Sequence, residues 1–128
     1  MTGQFRSYRD LEVWQKAMVV AKEIYAATAG FPTEERFGLT NQMRRAAVSV
    51  PSNLAEGHAR ISTSEFQRFI VIAMGSVAEL ETQVVLSTDL GHLKADASNV
   101  LLGHLDSVGK MLRALHRSLG KRRAAAQG

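Results

Sequence analysis

The segment Leu39 to Arg60 constrains the fold most, because it combines a helical apolar row with an internal proline. Apolar residues recur there at steps of three and four, which places them on one face of a helix. The row consists of Leu39, Met43, Ala46, Val50 and Leu54. Small hydroxyl side chains and two opposite charges follow one flank, at Arg45, Ser49, Ser52 and Glu56. The pattern predicts a helix with a core face and a second contact surface.

Pro51 lies inside this predicted helix. It removes the amide that would bond to the carbonyl of Ala47, at a cost of about 3 kcal/mol in a helix interior. We expect a kink near Pro51, because the apolar row keeps its phase from Val50 to Leu54 and nearby serine hydroxyls can bond freed backbone groups. The alternative is a break, with a new helix starting at Ser52.

The first predicted helix follows a capping pair, Ser7 and Asp10, and carries two apolar rows. The rows are Leu11, Trp14, Met18, Ala21 and Tyr25, and Val13, Ala17, Val20, Ile24 and Ala27. Two rows cover more than half of the circumference, so we expect burial on two sides. Trp14 and Tyr25 share the phase of an aliphatic row, which favours core or subunit contacts over base stacking.

Two longer helices follow. Ser62 and Glu65 have the spacing of a capping box, and Gly91 is the expected end of the third helix. Gly75 lies inside that helix, where glycine costs about 1 kcal/mol relative to alanine, so we expect a neighbouring helix to approach closely. The last helix has a seam typical of coiled-coil packing. Its members are Leu101, Leu105, Val108, Leu112, Leu115 and Leu119.

Four amphipathic helices with short connections predict an all-α fold, an antiparallel up-down four-helix bundle. A length of 128 residues fits one domain, 1–128, with a core at about 8–119. Residues 120–128 read as a basic, flexible tail.

Composition and spacing exclude several kinds of chemistry. The chain has no cysteine, which excludes disulfides and thiolate metal sites. No two of its histidines have the four-residue spacing of metal ligands on one helix face, and no phosphate loop or acid–base pair is present. We therefore expect no metal, no cofactor and no enzymatic activity, and a small helical nuclease is disfavoured. Without a signal peptide or a long apolar run, we expect a cytoplasmic protein without membrane contact.

Charged side chains suggest two kinds of site. Arg44 or Arg45 is expected to pair with Glu56 or Glu79, within or between subunits, and so fix register. The formal net charge is +4, and the basic residues are spread along the chain, which favours phosphate contact over base reading by one helix. Solvated faces and ion pairs are the alternative. The preferred candidates for nucleic-acid binding are Arg113, Arg117, Lys121, Arg122 and Arg123.

The stretch LTNQMRRAAVSVPSNLAEG resembles the signature of a bacterial four-helix-bundle family encoded in intervening sequences of large-subunit ribosomal RNA genes. The similarity continues through DLEVWQKA, FP at 31–32, SEFQRFIVIAMGSVAELETQ at 64–83 and the leucine-rich last helix. Its relatives include the accessory variability determinant of diversity-generating retroelements, which works with a reverse transcriptase. The resemblance implies a ring-like homopentamer with a basic surface, and no settled activity.

Resemblance and charge together favour a non-enzymatic oligomer that binds RNA or DNA, or an RNA–protein complex, with a reverse transcriptase as one partner. The alternative is a structural or protein-interaction module whose charge is incidental.

Overall fold

The structure, a computed structural model, describes residues 7–127. Its helices are α1 (Glu12–Thr28), α2 (Leu39–His58), α3 (Thr63–Asp89) and α4 (Ala95–Gln127). Short 3₁₀ turns lie at Tyr8–Asp10 and Thr33–Glu35, and there is no strand between residues 7 and 127. The all-α prediction is confirmed. Residues 1–6 and 128 of the predicted domain lie outside the described part.

Each helix packs against its neighbours in the chain, and α1 also contacts α4, which closes the bundle. The most extensive packing joins α2 to α3. Short connections between consecutive, mutually packed helices are what an antiparallel up-down bundle requires. The bundle therefore has two ends. One holds the α1–α2 and α3–α4 connections, and the other holds the α2–α3 connection and the last turns of α4.

Helix α2 is continuous through Pro51, so a break at Ser52 does not occur. The Pro51 ring is buried. One turn away, the Asn53 side-chain amide donates to the Ser49 carbonyl at 2.8 Å, and the Ser49 hydroxyl bonds to that of Ser76 on α3 at 2.8 Å. The Ser49–Ser76 bond joins α2 to α3 next to the proline.

The core row of α1 is the one that contains Val13, Ala17, Val20 and Ile24, all of which are buried. Its other row is only partly covered: Trp14 and Met18 are half-buried, and Tyr25 is 46% exposed. The predicted burial on two sides is therefore incomplete within one chain. Leu11 and Ala21 of this row are buried, whereas Trp14, Met18 and Tyr25 line a groove between α1 and α2.

Helix α4 is longer than its leucine seam predicts. The seam ends at Leu119, but the helix continues to Gln127, so residues 120–127 of the expected flexible tail are helical. Lysine, arginine and alanine at 121–126 are good helix formers. Gln67 of α3 also holds this end, since its amide donates to the His116 carbonyl at 3.0 Å and accepts from Arg123 at 2.6 Å. Flexibility of the exposed last turns stays a prediction.

Glu35 ties the two connections at one end of the bundle together. Its carboxylate accepts from the Leu39 amide at 3.2 Å, at the start of α2, and bonds to His92 at 3.0 Å. These contacts lower the pKa of Glu35, first through the backbone bond from Leu39 and then through His92. Gly91, with φ of 82°, makes the turn that brings His92 into place.

Gly57 allows α2 and α3 to approach closely. A Cβ atom at this position would lie 2.6 Å from Cβ of Phe69 and 3.0 Å from the Phe66 ring. Real side chains do not pack this closely, so a larger residue must push the helices apart. Glycine here is a packing requirement of the α2–α3 contact.

We expect Gly57→Ala to lower the free energy of unfolding by about 1–3 kcal/mol, because the added methyl group overpacks the contact with Phe69. Gly103→Ala in α4 is the matched control, since a Cβ there meets no atom within 4 Å. The control should be neutral or more stable by up to about 1 kcal/mol. Chemical denaturation of both variants measures this, and equal stability of the two would refute the packing requirement.

Glu35→Gln should destabilise the protein at neutral pH. On acidification, the variant should lose less stability than wild type does. A carboxyl whose folded pKa is lowered contributes stability above its unfolded pKa, and this contribution is lost as the pH falls through the folded pKa. Melting temperatures of Glu35→Gln and wild type should therefore converge below the ordinary carboxyl range. Glu34→Gln, at an exposed neighbouring position, is the control and should follow wild type throughout.

Candidate nucleic-acid interface

Basic side chains collect at the end of the bundle that holds the α2–α3 connection. The antiparallel order brings four segments there: the start of α1, the end of α2, the first turns of α3 and the second half of α4. Their basic residues are Arg9, Arg60, Arg68, Arg113, Arg117, Lys121, Arg122 and Arg123. We call this region the basic end. The sequence pattern predicted a cluster of basic residues only on α4. The structure adds Arg60 and Arg68 to this end of the bundle.

Arg113, Arg117 and Lys121 follow one flank of α4 at four-residue steps, the spacing of neighbours on a helix surface. All three are exposed, and Arg113 and Arg117 line a cavity of about 240 Å³ together with Val71 and Met74 of α3. No acidic side chain lies within ion-pair distance of these three in residues 7–127. They form a short cationic row beside α3.

Arg122 and Arg123 lie elsewhere. Arg123 donates to Gln67 at 2.6 Å and so helps to hold α4 against α3. Arg122 lines a different cavity, shared with Arg60 and His58. The structure therefore divides the five predicted candidates among the row, the Gln67 contact and this second cavity. Sequence spacing could not show the division, because it depends on the position of Gln67 and of the α2–α3 connection.

Two carboxylates reduce the charge of the basic end. Glu56 pairs with Arg60 at 3.2 Å, and Glu65 pairs with Arg68 at 3.4 Å. Both are exposed i,i+4 or i,i+3 pairs, which contribute little to stability and are screened by salt. The cations of α4 consequently carry most of the uncompensated charge.

The predicted ion pairs of Arg44 and Arg45 do not form within this chain. Arg44 donates to the Thr28 hydroxyl at 2.9 Å and to the Tyr25 carbonyl at 3.3 Å, which caps the end of α1. Its guanidinium also lies over the Tyr25 ring, 4.5 Å from the ring centre. Arg44 thus secures α1 to α2 without a carboxylate.

Arg45 and Glu79 nevertheless lie on the same edge of the bundle. The Ser49–Ser76 bond sets the α2–α3 register, and Arg45 and Glu79 lie one turn along each antiparallel helix from it. Glu79 accepts from Gln83 at 3.2 Å, and Arg45 is exposed. A pair between subunits stays a prediction.

The outer face of α3 carries apolar residues from Val71 to Leu90, with Glu79, Thr82 and Asp89 among them. Exposed residues of this stripe are Val71, Ile72, Ala78, Val85, Leu86 and Leu90. Val71 is 52% exposed and Leu90 is 53% exposed. Gly75 lies among them, and a Cβ there would meet no atom within 4 Å, so no helix of the same chain makes the expected close approach. Close approach by a helix of another copy stays a prediction. We call this surface the α3 stripe.

A groove of about 630 Å³ runs between α1 and α2 on another side of the bundle. Its walls include Trp14, Met18, Tyr25, Val48 and Pro51, with Lys22 at the same groove. A further cavity of about 530 Å³ shares Tyr25 and Val48 with it and adds Arg44 and Arg45. We call the two together the α1–α2 groove. It is concave and mostly apolar, with Lys22, Arg44 and Arg45 along it.

The length and composition of α3 are also those of a helix that could cross a membrane. In the bundle, 44% of its most apolar segment is buried against the other helices. Core helices of soluble proteins have the same composition, and α3 carries Glu79 and Glu81 in its middle turns. Packing in the bundle explains the composition of its inner face, and the outer stripe needs a separate explanation.

The model of one protein family, described as 23S rRNA-intervening sequence protein, matches residues 9–114. Among solved structures, the fold is similar to a protein of unknown function from the S23 ribosomal protein family of Bacteroides thetaiotaomicron VPI-5482. The TM-score is 0.73 at 19% sequence identity, over 81% of this chain and 97% of that one. No curated protein matches the sequence.

Proposed function

Because the chain belongs to the 23S rRNA-intervening sequence protein family, we propose that it is a non-enzymatic homo-oligomer that binds nucleic acid, or an RNA–protein complex, through its basic end. The observation that carries the proposal is the uncompensated row of Arg113, Arg117 and Lys121. Its exposed side chains can contact successive phosphates, which gives affinity without base reading. A cytoplasmic location and a reverse transcriptase in the bound complex are part of the same proposal.

The proposed oligomer is a ring of five copies, the number that the family resemblance implies. Two unlike apolar surfaces on one chain support a ring: the exposed α3 stripe and the concave α1–α2 groove. Contacts between unlike surfaces are head-to-tail and close into rings when the rotation permits. Lys22 and Arg45 of the groove and Glu79 of the stripe have complementary charges.

Assembly also changes the electrostatics. Each copy has a formal net charge of +4, and a ring places several basic ends on one particle. Clustered charge raises the local potential and the rate of encounter with a polyanion. The modest charge of one chain thereby becomes a usable nucleic-acid surface.

Arg113→Gln together with Arg117→Gln should weaken binding to a single-stranded RNA and lower the slope of log K against log salt. Each lost phosphate contact lowers that slope by about 0.7 for a single strand. Arg36→Gln with Lys94→Gln removes the same charge from the opposite end and should leave most of the affinity intact. Fluorescence anisotropy over a salt series measures both, and equal loss in the two double variants would refute a localised interface.

Gly75→Gln should disrupt the oligomer without harming the fold. The added side chain meets no atom of its own chain, and glutamine is the better helix former by up to about 1 kcal/mol, so an isolated bundle should tolerate it. A neighbouring subunit against the α3 stripe would be displaced. Gly103→Gln, at a position equally open, is the control. Sedimentation measures the oligomeric state of both variants. An unchanged oligomer in Gly75→Gln would exclude a close contact between subunits at this position.

A protein-interaction module remains the second candidate function. The division of Arg122 and Arg123 from the row of Arg113, Arg117 and Lys121 favours it, because a strong nucleic-acid site needs a continuous patch. Absence of RNA and DNA binding at low ionic strength, with an intact oligomer, would select this alternative.

A further inference from the structure

The basic end contains a cavity of about 250 Å³ that the row on α4 does not use. Four parts of the chain form it: Leu11 before α1, the end of α2 with the α2–α3 connection, the first turns of α3, and the last core turns of α4. Its polar lining residues are His58, Arg60, Ser62, Thr63, Ser118 and Arg122. Its apolar lining residues are Leu11, Ile61, Phe66, Leu115 and Leu119.

The cationic residues approach the cavity from two sides. Arg60 comes from the α2–α3 connection, and Arg122 comes from α4. Arg60 is held in position by its bond to Glu56 at 3.2 Å and by the Phe69 ring, 4.9 Å from its guanidinium carbon. The bond to Glu56 uses one of its two terminal nitrogens, so further N–H donors are left for a ligand. Arg122 has no ion-pair partner in the described range 7–127.

The other lining groups complement these two. Hydroxyl groups of Thr63 and Ser118 add hydrogen-bond donors, and His58 packs edge-on against Phe66. Of the apolar lining residues, Leu11 and Leu119 are buried and Ile61 is fully exposed, so a lowered dielectric constant acts on one part of the cavity only. The N-terminus of α3 also borders the cavity, and this positive end of the helix dipole favours negative charge.

We propose that this cavity binds a phosphate group of the nucleic acid. The inference rests on the proposed function for the identity of the ligand, although the pocket itself does not require it. A phosphate offers several oxygens in different directions and accepts paired bonds from arginine forks. Donors from two sides of a small cavity match this geometry. The phosphate is either at the end of a strand or within its backbone, and both have the same recognising chemistry.

The first experiment uses inorganic phosphate as the probe. Phosphate should raise the melting temperature of the wild-type protein above that in chloride at equal ionic strength. Arg122→Gln should lose this shift, and Ser118→Glu, which adds a negative charge to the same cavity, should lose it too. Arg36→Gln at the opposite end is the control and should keep it. No shift in wild type, or the same shift in Arg122→Gln, would overturn the pocket.

The second experiment compares one RNA oligonucleotide with a 5′-phosphate, a 3′-phosphate or neither. A ten-fold preference for one phosphorylated end that Arg122→Gln abolishes assigns a terminal phosphate. Equal affinity for all three, with a salt slope lower by about 1 in Arg122→Gln, assigns a backbone phosphate. If Arg122→Gln binds every oligonucleotide as wild type does, the pocket has no nucleic-acid role. If wild type binds none of them but keeps its phosphate shift, the proposed function fails and the pocket remains.

Discussion

Four helices of this composition have more apolar surface than one bundle can bury, and the architecture follows from that excess. Each helix turns one face inward, and α3 also presents a second apolar face, the α3 stripe, to the outside. On α1, Trp14, Met18 and Tyr25 line an open groove rather than a core. Exposed apolar patches of this kind mark interaction sites in soluble proteins. These exposed patches support the proposal that the bundle is one unit of a larger assembly.

The contact between α2 and α3 determines where those surfaces lie. Gly57 permits close approach to Phe69, and the Ser49–Ser76 bond fixes the register near Pro51. With α2 and α3 held this way, the α3 stripe and the α1–α2 groove occupy different sides of the bundle. Val71 of the α3 stripe lines one cavity with Arg113 and Arg117, so the stripe adjoins the basic end.

Local sequence signals predicted much of the fold. The Ser62 cap, the turn at Gly91 and the apolar rows all reflect interactions between residues close in sequence. The Ser7–Asp10 pair also forms, but it caps the 3₁₀ turn before α1 and not α1 itself, which begins at Glu12. Features that depend on distant residues were not predictable. Gln67 holds the end of α4, and Arg44 caps α1 instead of pairing with a carboxylate. Arg60 and Arg122 line the same cavity. For the same reason, the sequence identified the basic candidates but not their division among the row on α4, the Gln67 contact and the second cavity.

The central claim is that the exposed apolar faces are covered by other copies of the chain. The mass of the wild-type protein in dilute solution, by light scattering or native mass spectrometry, tests this most directly. The account predicts a single closed species at a multiple of the 14.0 kDa chain mass, five-fold if the family resemblance holds, with no free chain. A stable, monodisperse 14.0 kDa monomer with the α3 stripe in contact with water would contradict it.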